Sequence, residues 1–263
     1  MMGGVPSWIV AIVLAVFFAL SLEAGWRLYR VLRGDRADEG ASTGAGYVVS
    51  ASLGLLSLLI GFTLAMSLDR YEVRRRLVVA EASAISTVWL RDQVFDQPVR
   101  GRLEDLLRAY VRERRALPSV GLSQPALDAA DQRTGALQTR IWQQTLAGLR
   151  TPGASPFTNV VTQATNDMFD LPAARRAALD AQVPPAVLWT LVAVAFISAI
   201  LTGYGLATGR RRHRLASTGL FIAAALAITL IIELDEPRGG LIRVPQAPLD
   251  RVADSILNAP ATP

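Results

Sequence analysis

Four long apolar stretches without a charged residue constrain the fold of this chain more than any other feature. They lie at residues 8–22, 47–68, 186–207 and 215–232. A helix needs about 20 apolar residues to cross a hydrocarbon core roughly 30 Å thick. In lipid, every backbone polar group must also find its hydrogen bond within the protein, which a helix provides. We therefore predict an all-α, polytopic membrane protein with four transmembrane helices.

The four spans divide the chain into two transmembrane hairpins on either side of a helical extramembrane region. We place the first hairpin at residues 1–68, the extramembrane region at 69–185, the second hairpin at 186–234 and a C-terminal tail at 235–263. No proline interrupts Tyr47 to Phe95, a stretch of 49 residues. As one helix it would be roughly 73 Å long, at 1.5 Å per residue. The second helix is therefore predicted to project beyond the membrane.

Proline and glycine divide the rest of the extramembrane region into three further amphipathic helices. The first break is at Pro98, because a proline disfavours the helical conformation of the residue before it. Further breaks lie at 117–125 and 151–156, and Pro184-Pro185 precedes the third span. We expect these helices to pack as a bundle against the long second helix.

The composition excludes several kinds of catalytic and metal site. The chain has no Cys, all 27 basic residues are Arg, and the single His is His213. Thiol nucleophiles, Cys-ligated metals, lysine Schiff bases and the HExxH zinc motif are therefore all absent. We predict that the chain is not an enzyme and needs no cofactor. Arginine replaces lysine throughout, which indicates genomic base composition, so we predict no nucleic-acid partner.

One face of the second span carries small residues at helical spacing, namely Ser50, Gly54, Ser57 and Gly61. Such a face allows two helices to approach closely in lipid, and its hydroxyl groups can also line a water-filled path. The alternatives are an ordinary packing seam and a pore face. No Asp, Glu, Arg or His lies in the middle of a span, which argues against proton-driven transport but not against a passive pore. Four such helices are too few to enclose a pore, so a pore would require a homo-oligomer.

Charged residues follow the second span directly. Arg70, Arg74, Arg75 and Arg76, repeated around an oligomer, would concentrate anions at the mouth of a pore. Further along, Glu81 falls on the apolar face of the same predicted helix. A buried carboxylate needs a partner. It is therefore either a buried ion pair or site residue, or a flanking residue that reaches solvent.

Three segments together resemble the bestrophin-like family of bacterial and plastid membrane proteins, over roughly residues 55–250. They are Gly61-Phe62-Thr63 with Asp69-Arg70-Tyr71, then Asn166-Asp167-Met168 followed by Arg175 or Arg176, and Leu234-Asp235-Glu236-Pro237 followed by Gly240 and Ile242. The last pattern is the most specific. The family commonly has Phe after the proline, where this chain has Arg238.

The resemblance implies a fold and a function. Bestrophins proper are pentameric anion channels with four spans, a pore lined by the second transmembrane helix and an acidic calcium site after the fourth. By this likeness, Ser50, Gly54, Ser57 and Gly61 would face a pore. Asp235 and Glu236 would be candidates for a cation site or an interhelix site. The alternative for these acidic residues is a helix end that faces water and pairs with nearby arginines.

These observations predict a membrane protein that is an oligomeric passive anion channel, in contact with lipid, with further copies of itself and with small inorganic ions. The alternative is a non-conducting scaffold or sensor whose extramembrane region binds a partner. We expect it in the inner (plasma) membrane. The short loops 27–46 and 208–214 hold four Arg each, and such loops prefer the cytoplasm. The family resemblance instead implies a cytoplasmic extramembrane region, so both orientations stay open here.

Overall fold

A computed structural model describes residues 6–33, 39–117, 124–150, 155–207, 214–236 and 242–260 of the chain. These residues form eight α-helices, a few short 3-10 turns and no strand. The predicted all-α class is therefore confirmed for the described part of the chain. The helices are α1 (Ser7–Arg33), α2 (Glu39–Arg91), α3 (Val99–Ala116), α4 (Gln124–Leu149), α5 (Thr158–Asp180), α6 (Pro185–Leu206), α7 (Arg214–Asp235) and α8 (Ala247–Leu257).

The structure confirms four helical segments that are long and apolar enough to cross a membrane. They lie in α1, α2, α6 and α7, and their most apolar windows have mean hydropathy values from 2.1 to 2.4. The second helix is also long, as predicted. Its 53 residues correspond to about 80 Å, well beyond a hydrocarbon core of roughly 30 Å. It begins before Tyr47 and ends at Arg91, and a 3-10 turn over Asp92–Val94 follows it.

The chain forms two compact units. The membrane unit consists of residues 1–71 and 182–243, and the bundle unit consists of residues 72–181 and 244–263. Helix α2 contributes residues to both units. The C-terminal residues, which we treated as a separate tail, pack with the bundle unit because they include α8.

Close contact between α1 and α6 organises the membrane unit. Gly203 on α6 lies against the backbone of Leu22, and a Cβ atom added to it would come within 2.0 Å of the Leu22 carbonyl oxygen. Gly25 on α1 has the same relation to the carbonyl oxygen of Ile200. Without strong hydrophobic forces between helices in lipid, small residues at an interface allow the backbones to approach. The glycines therefore bring α1 and α6 together, and α7 completes the core with Phe221, Ala225, Ile228 and Ile231.

Helices α2, α3, α4, α5 and α8 share the apolar core of the bundle unit. Helix α8 contributes Leu249, Ala253 and Ile256 to this core, and all three are buried. Ion pairs from Arg115 to Asp250 and Asp254 hold α8 to α3. Helix α8 was not predicted from the sequence, although the spacing of its apolar residues at i, i+4 and i+7 is that of a helix face.

Replacing Gly203 by Ala should destabilise the membrane unit by about 1–3 kcal/mol, because overpacking against a neighbouring backbone cannot be relieved by a side-chain rotation. The measurement is the midpoint of thermal unfolding in detergent. Gly219→Ala on α7 is the matched control, since a Cβ atom there meets nothing within 4 Å. Equal midpoints for the two variants would contradict the close α1–α6 contact.

Candidate functional site

The small residues of the second span lie on an open face of α2. Ser50, Gly54, Ser57 and Gly61 are all exposed. A Cβ atom added at Gly54 or Gly61 would meet nothing within 4 Å, so none of the described helices covers this face at these two positions. The Ser57 hydroxyl donates to the carbonyl oxygen of Leu53, 2.9 Å away, and its oxygen stays at the surface.

The buried side of α2 within the membrane unit is elsewhere on the helix. Leu56, Thr63 and Ser67 are buried there. At 100° per residue these positions lie on the far side of the helix from the small residues. The Ser198 hydroxyl of α6 donates to the carbonyl oxygen of Ser52, 3.3 Å away. Helix α2 therefore packs on its own unit through one side and presents the small residues on the other.

The apolar part of α2 is also the least covered of the four spans. Only 11% of its most apolar window is buried, against 22% for the span in α1 and 33% for the span in α7. Large apolar side chains elsewhere around the same part of α2 are exposed as well, at Leu55, Leu58 and Phe62. Lipid or further protein must cover this surface, since water does not.

The four arginines after the second span do not share one environment. Arg74 is buried, with 5% of its surface exposed, and Arg70 is half-buried. Arg75 and Arg76 are exposed, and Arg75 pairs with Glu72 at 3.4 Å. Two of the four predicted mouth residues are therefore exposed at the surface of the described structure.

Glu81 is completely buried in the bundle unit, at a point where three helices meet. One carboxylate oxygen accepts a hydrogen bond from Nε of Arg114 on α3, and the other accepts one from Nη1 of Arg175 on α5. Nη2 of Arg175 in turn donates to Oε1 of Gln246, 3.1 Å away. Of the alternatives left open for Glu81, the structure contains the buried ion pair.

Burial and charge act against each other at this centre. Burial alone would lower the pKa of Arg114, but the charge and the hydrogen bond of Glu81 outweigh it, so the pKa is raised. Burial also raises the pKa of Tyr110, whose ring packs one turn before Arg114, and the neighbouring Arg114 charge lowers it in part. Arg114 is therefore charged and Tyr110 is neutral at physiological pH.

The acidic residues at the end of α7 have separate roles. Both carboxylate oxygens of Asp235 accept from the backbone N–H of Val183, at 2.9 and 3.0 Å. This contact links the end of α7 to the segment that enters α6. Glu236 is half-buried, and its backbone N–H continues the helix by donating to Ile232. Within the residues that the structure describes, no group of three or more acidic or histidine side chains is arranged to hold a metal ion.

No role was predicted for Arg114 from the sequence. Arg114 follows Tyr110 by four residues and Val111 by three, so the apolar spacing of α3 already placed it on the buried side. An arginine on that side, facing a glutamate on the apolar side of α2, was the available signal.

Comparisons with known proteins give one family. The bestrophin-like domain matches residues 15–249 of the chain. A comparison with curated proteins finds no match.

Solved structures share the fold. Two single-substitution variants of a bacterial bestrophin homologue from Klebsiella pneumoniae superpose with TM-scores of 0.67 and 0.68, both at 13% sequence identity. The first match covers 96% of this chain and 99% of that chain, and the second covers 96% and 98%. A further crystal structure of a membrane protein gives a TM-score of 0.69 at 13% identity, covering 94% of this chain and 97% of that chain.

Replacing Glu81 by Gln should lower the free energy of unfolding by about 3–5 kcal/mol, because two buried guanidinium groups then lose their shared counter-charge. Thermal and denaturant unfolding in detergent measure the change. Glu72→Gln is the control on the same helix, where the exposed pair with Arg75 contributes less than about 1 kcal/mol. A Glu81→Gln protein as stable as Glu72→Gln would contradict the structural role of this ion pair.

Proposed function

Since this chain belongs to the bestrophin-like family, we propose that it forms an oligomeric passive ion channel, selective for anions, whose pore is lined by α2. The observation that carries the proposal is the open face of small residues on α2 in the protomer. Further copies of the chain would bring these faces together around an axis. Hydroxyl and backbone groups on such a narrow face can replace part of an ion's hydration shell.

The charge distribution supports a passive pore for anions. The apolar part of each span lacks ionisable residues, and such residues are what proton relays and ion-coupling sites require. Past the span, Arg75 and Arg76 are exposed. Repeated around an oligomer, they would raise the local anion concentration and repel cations, an effect that weakens with ionic strength.

We place the protein in the inner (plasma) membrane, with the Arg-dense loops 27–46 and 208–214 in the cytoplasm. Short loops rich in Arg weigh most in the rule that positive residues stay inside. The bundle unit would then lie on the opposite side of the membrane.

The absence of Cys from the sequence allows a direct test of the pore face. Single Cys residues would be introduced as Ser57→Cys on the small-residue face and as Leu55→Cys on the exposed side of α2 away from it. In proteoliposomes we expect chloride flux from both proteins. A charged thiol reagent should reduce the flux of Ser57→Cys by tenfold or more and leave Leu55→Cys unchanged, because only the first residue would face the conducting path.

Two outcomes would overturn the channel proposal. Equal inhibition of the two variants by the thiol reagent would show that the small-residue face of α2 does not line the pore. Liposomes that carry the folded protein but pass neither chloride nor cations would favour a non-conducting scaffold or sensor instead.

The orientation of the chain in the membrane can be measured with two further single-Cys variants. Gly44→Cys precedes the second apolar span, and Gln132→Cys lies on the exposed surface of α4 in the bundle unit. In intact cells a membrane-impermeant maleimide should label Gln132→Cys, whereas Gly44→Cys should react only after permeabilisation. The reverse pattern would place the bundle unit in the cytoplasm. Labelling of both from one side would contradict a membrane crossing between them.

A further inference from the structure

The buried centre around Glu81 contains more positive than negative charge. Two guanidinium groups, those of Arg114 and Arg175, share a single carboxylate. The side chain of Arg114 is 1% exposed, that of Glu81 is 0% exposed and that of Arg175 is 10% exposed. Removing an uncompensated charge from water costs several kcal/mol even after relaxation. One positive charge of this centre therefore lacks a buried counter-charge within the described residues.

The same centre contains hydrogen-bond donors that the described residues do not use. Nη2 of Arg114 is buried and has no acceptor. The hydroxyl of Tyr110 is buried without a partner in hydrogen-bonding geometry; burial raises the pKa of Tyr110, and the side chain of Gln138 lies close enough to lower it in part. The hydroxyl of Thr134 is also buried and unpaired. Leaving a buried polar group without a hydrogen bond costs about 1–3 kcal/mol. Three such groups in one place therefore indicate a bound ligand.

These three groups belong to buried residues of two neighbouring helices, α3 and α4. Tyr110 and Arg114 are four residues apart on α3, and each lies within electrostatic reach of the other. On α4, Asp131 acts on Arg114 and Gln138 lies beside Tyr110. Thr134 lies between these two positions, on the buried side of α4. The pairing of α3 with α4 therefore places Thr134 at the same level of the helix pair as Tyr110 and Arg114.

The other charged residues near Arg114, on α4 and α5, pair with one another. Asp131 is the remaining acidic neighbour of Arg114, but its side chain is 42% exposed and it lies 3.7 Å from Arg176. Arg176 also pairs with Asp128 and Asp180 on the surface. Asp131 is therefore a solvent-screened contributor and does not occupy the donors of Arg114.

We propose that a small monovalent anion of the halide type binds between α3 and α4, held by Nη2 of Arg114 and the hydroxyls of Tyr110 and Thr134. Such an ion supplies the missing negative charge and accepts from all three donors. A larger anion does not suit a place whose polar atoms have lost contact with solvent. All of the ligands belong to the bundle unit, so the inference does not depend on the protein being a channel.

The test is the unfolding temperature of the detergent-purified protein at constant ionic strength, as chloride stepwise replaces gluconate. An ion that binds only the folded state raises stability in a saturable manner. We expect such saturation with chloride and with bromide. A midpoint that does not distinguish chloride from gluconate would overturn the proposal, and water would then satisfy these donors.

Two conservative variants test whether the chloride dependence of the unfolding temperature arises at this site. Tyr110→Phe and Thr134→Val remove one donor each and keep the bulk of the side chain, so both should fold. Loss of one hydrogen bond to an ion should weaken chloride binding roughly tenfold. Thr145→Val is the matched control on α4, because the buried Thr145 hydroxyl already donates to the carbonyl oxygen of Ile141 at 3.0 Å. Chloride dependence that is unchanged in both donor variants would overturn the assignment.

Crystals grown or soaked in bromide provide a second, independent readout. Anomalous scattering should place a bromide ion beside Arg114, between α3 and α4. Crystals at saturating bromide with no anomalous peak there would overturn the proposal, whether or not the protein conducts ions.

Discussion

The burial of the Glu81 carboxylate between two arginines determines how the helices of the bundle unit pack. Each carboxylate oxygen accepts from a different helix, so this one residue of α2 fixes both Arg114 on α3 and Arg175 on α5. Desolvated charges tolerate little change in geometry, because their mutual attraction only just offsets the cost of removing them from water. The same unit also contains the apolar core to which α8 contributes.

Helix α2 lies in two different surroundings along its length. In the membrane unit, one of its sides packs on α6 while the small residues remain uncovered. In the bundle unit, it buries Val78, Ile85 and Val88 together with Glu81. Lipid accepts an apolar surface without packing, whereas water does not, so the same helix can leave a face open in one unit and must bury one in the other.

Sequence reasoning found the elements but only part of the site. The four spans, the length of α2 and the helical character of the central region followed from uncharged runs, proline positions and apolar spacing. Helix α8 was missed because it is short and amphipathic, and such a segment becomes a stable helix only when it is packed. Arg114 was missed because an arginine is read as a surface residue by default, and its burial depends on a glutamate 33 positions away.

The sequence by itself determined that the chain has four helices able to cross a membrane, since the requirement that lipid imposes is met by length and absence of charge within each local stretch. Only the tertiary structure decided which face of α2 is left open and which of its residues are buried. It also decided that Gly203 on α6 meets Leu22 on α1, and that Glu81 pairs with two arginines. Those outcomes depend on packing and electrostatic contacts between residues far apart in the chain, and their energies exist only after the helices have come together.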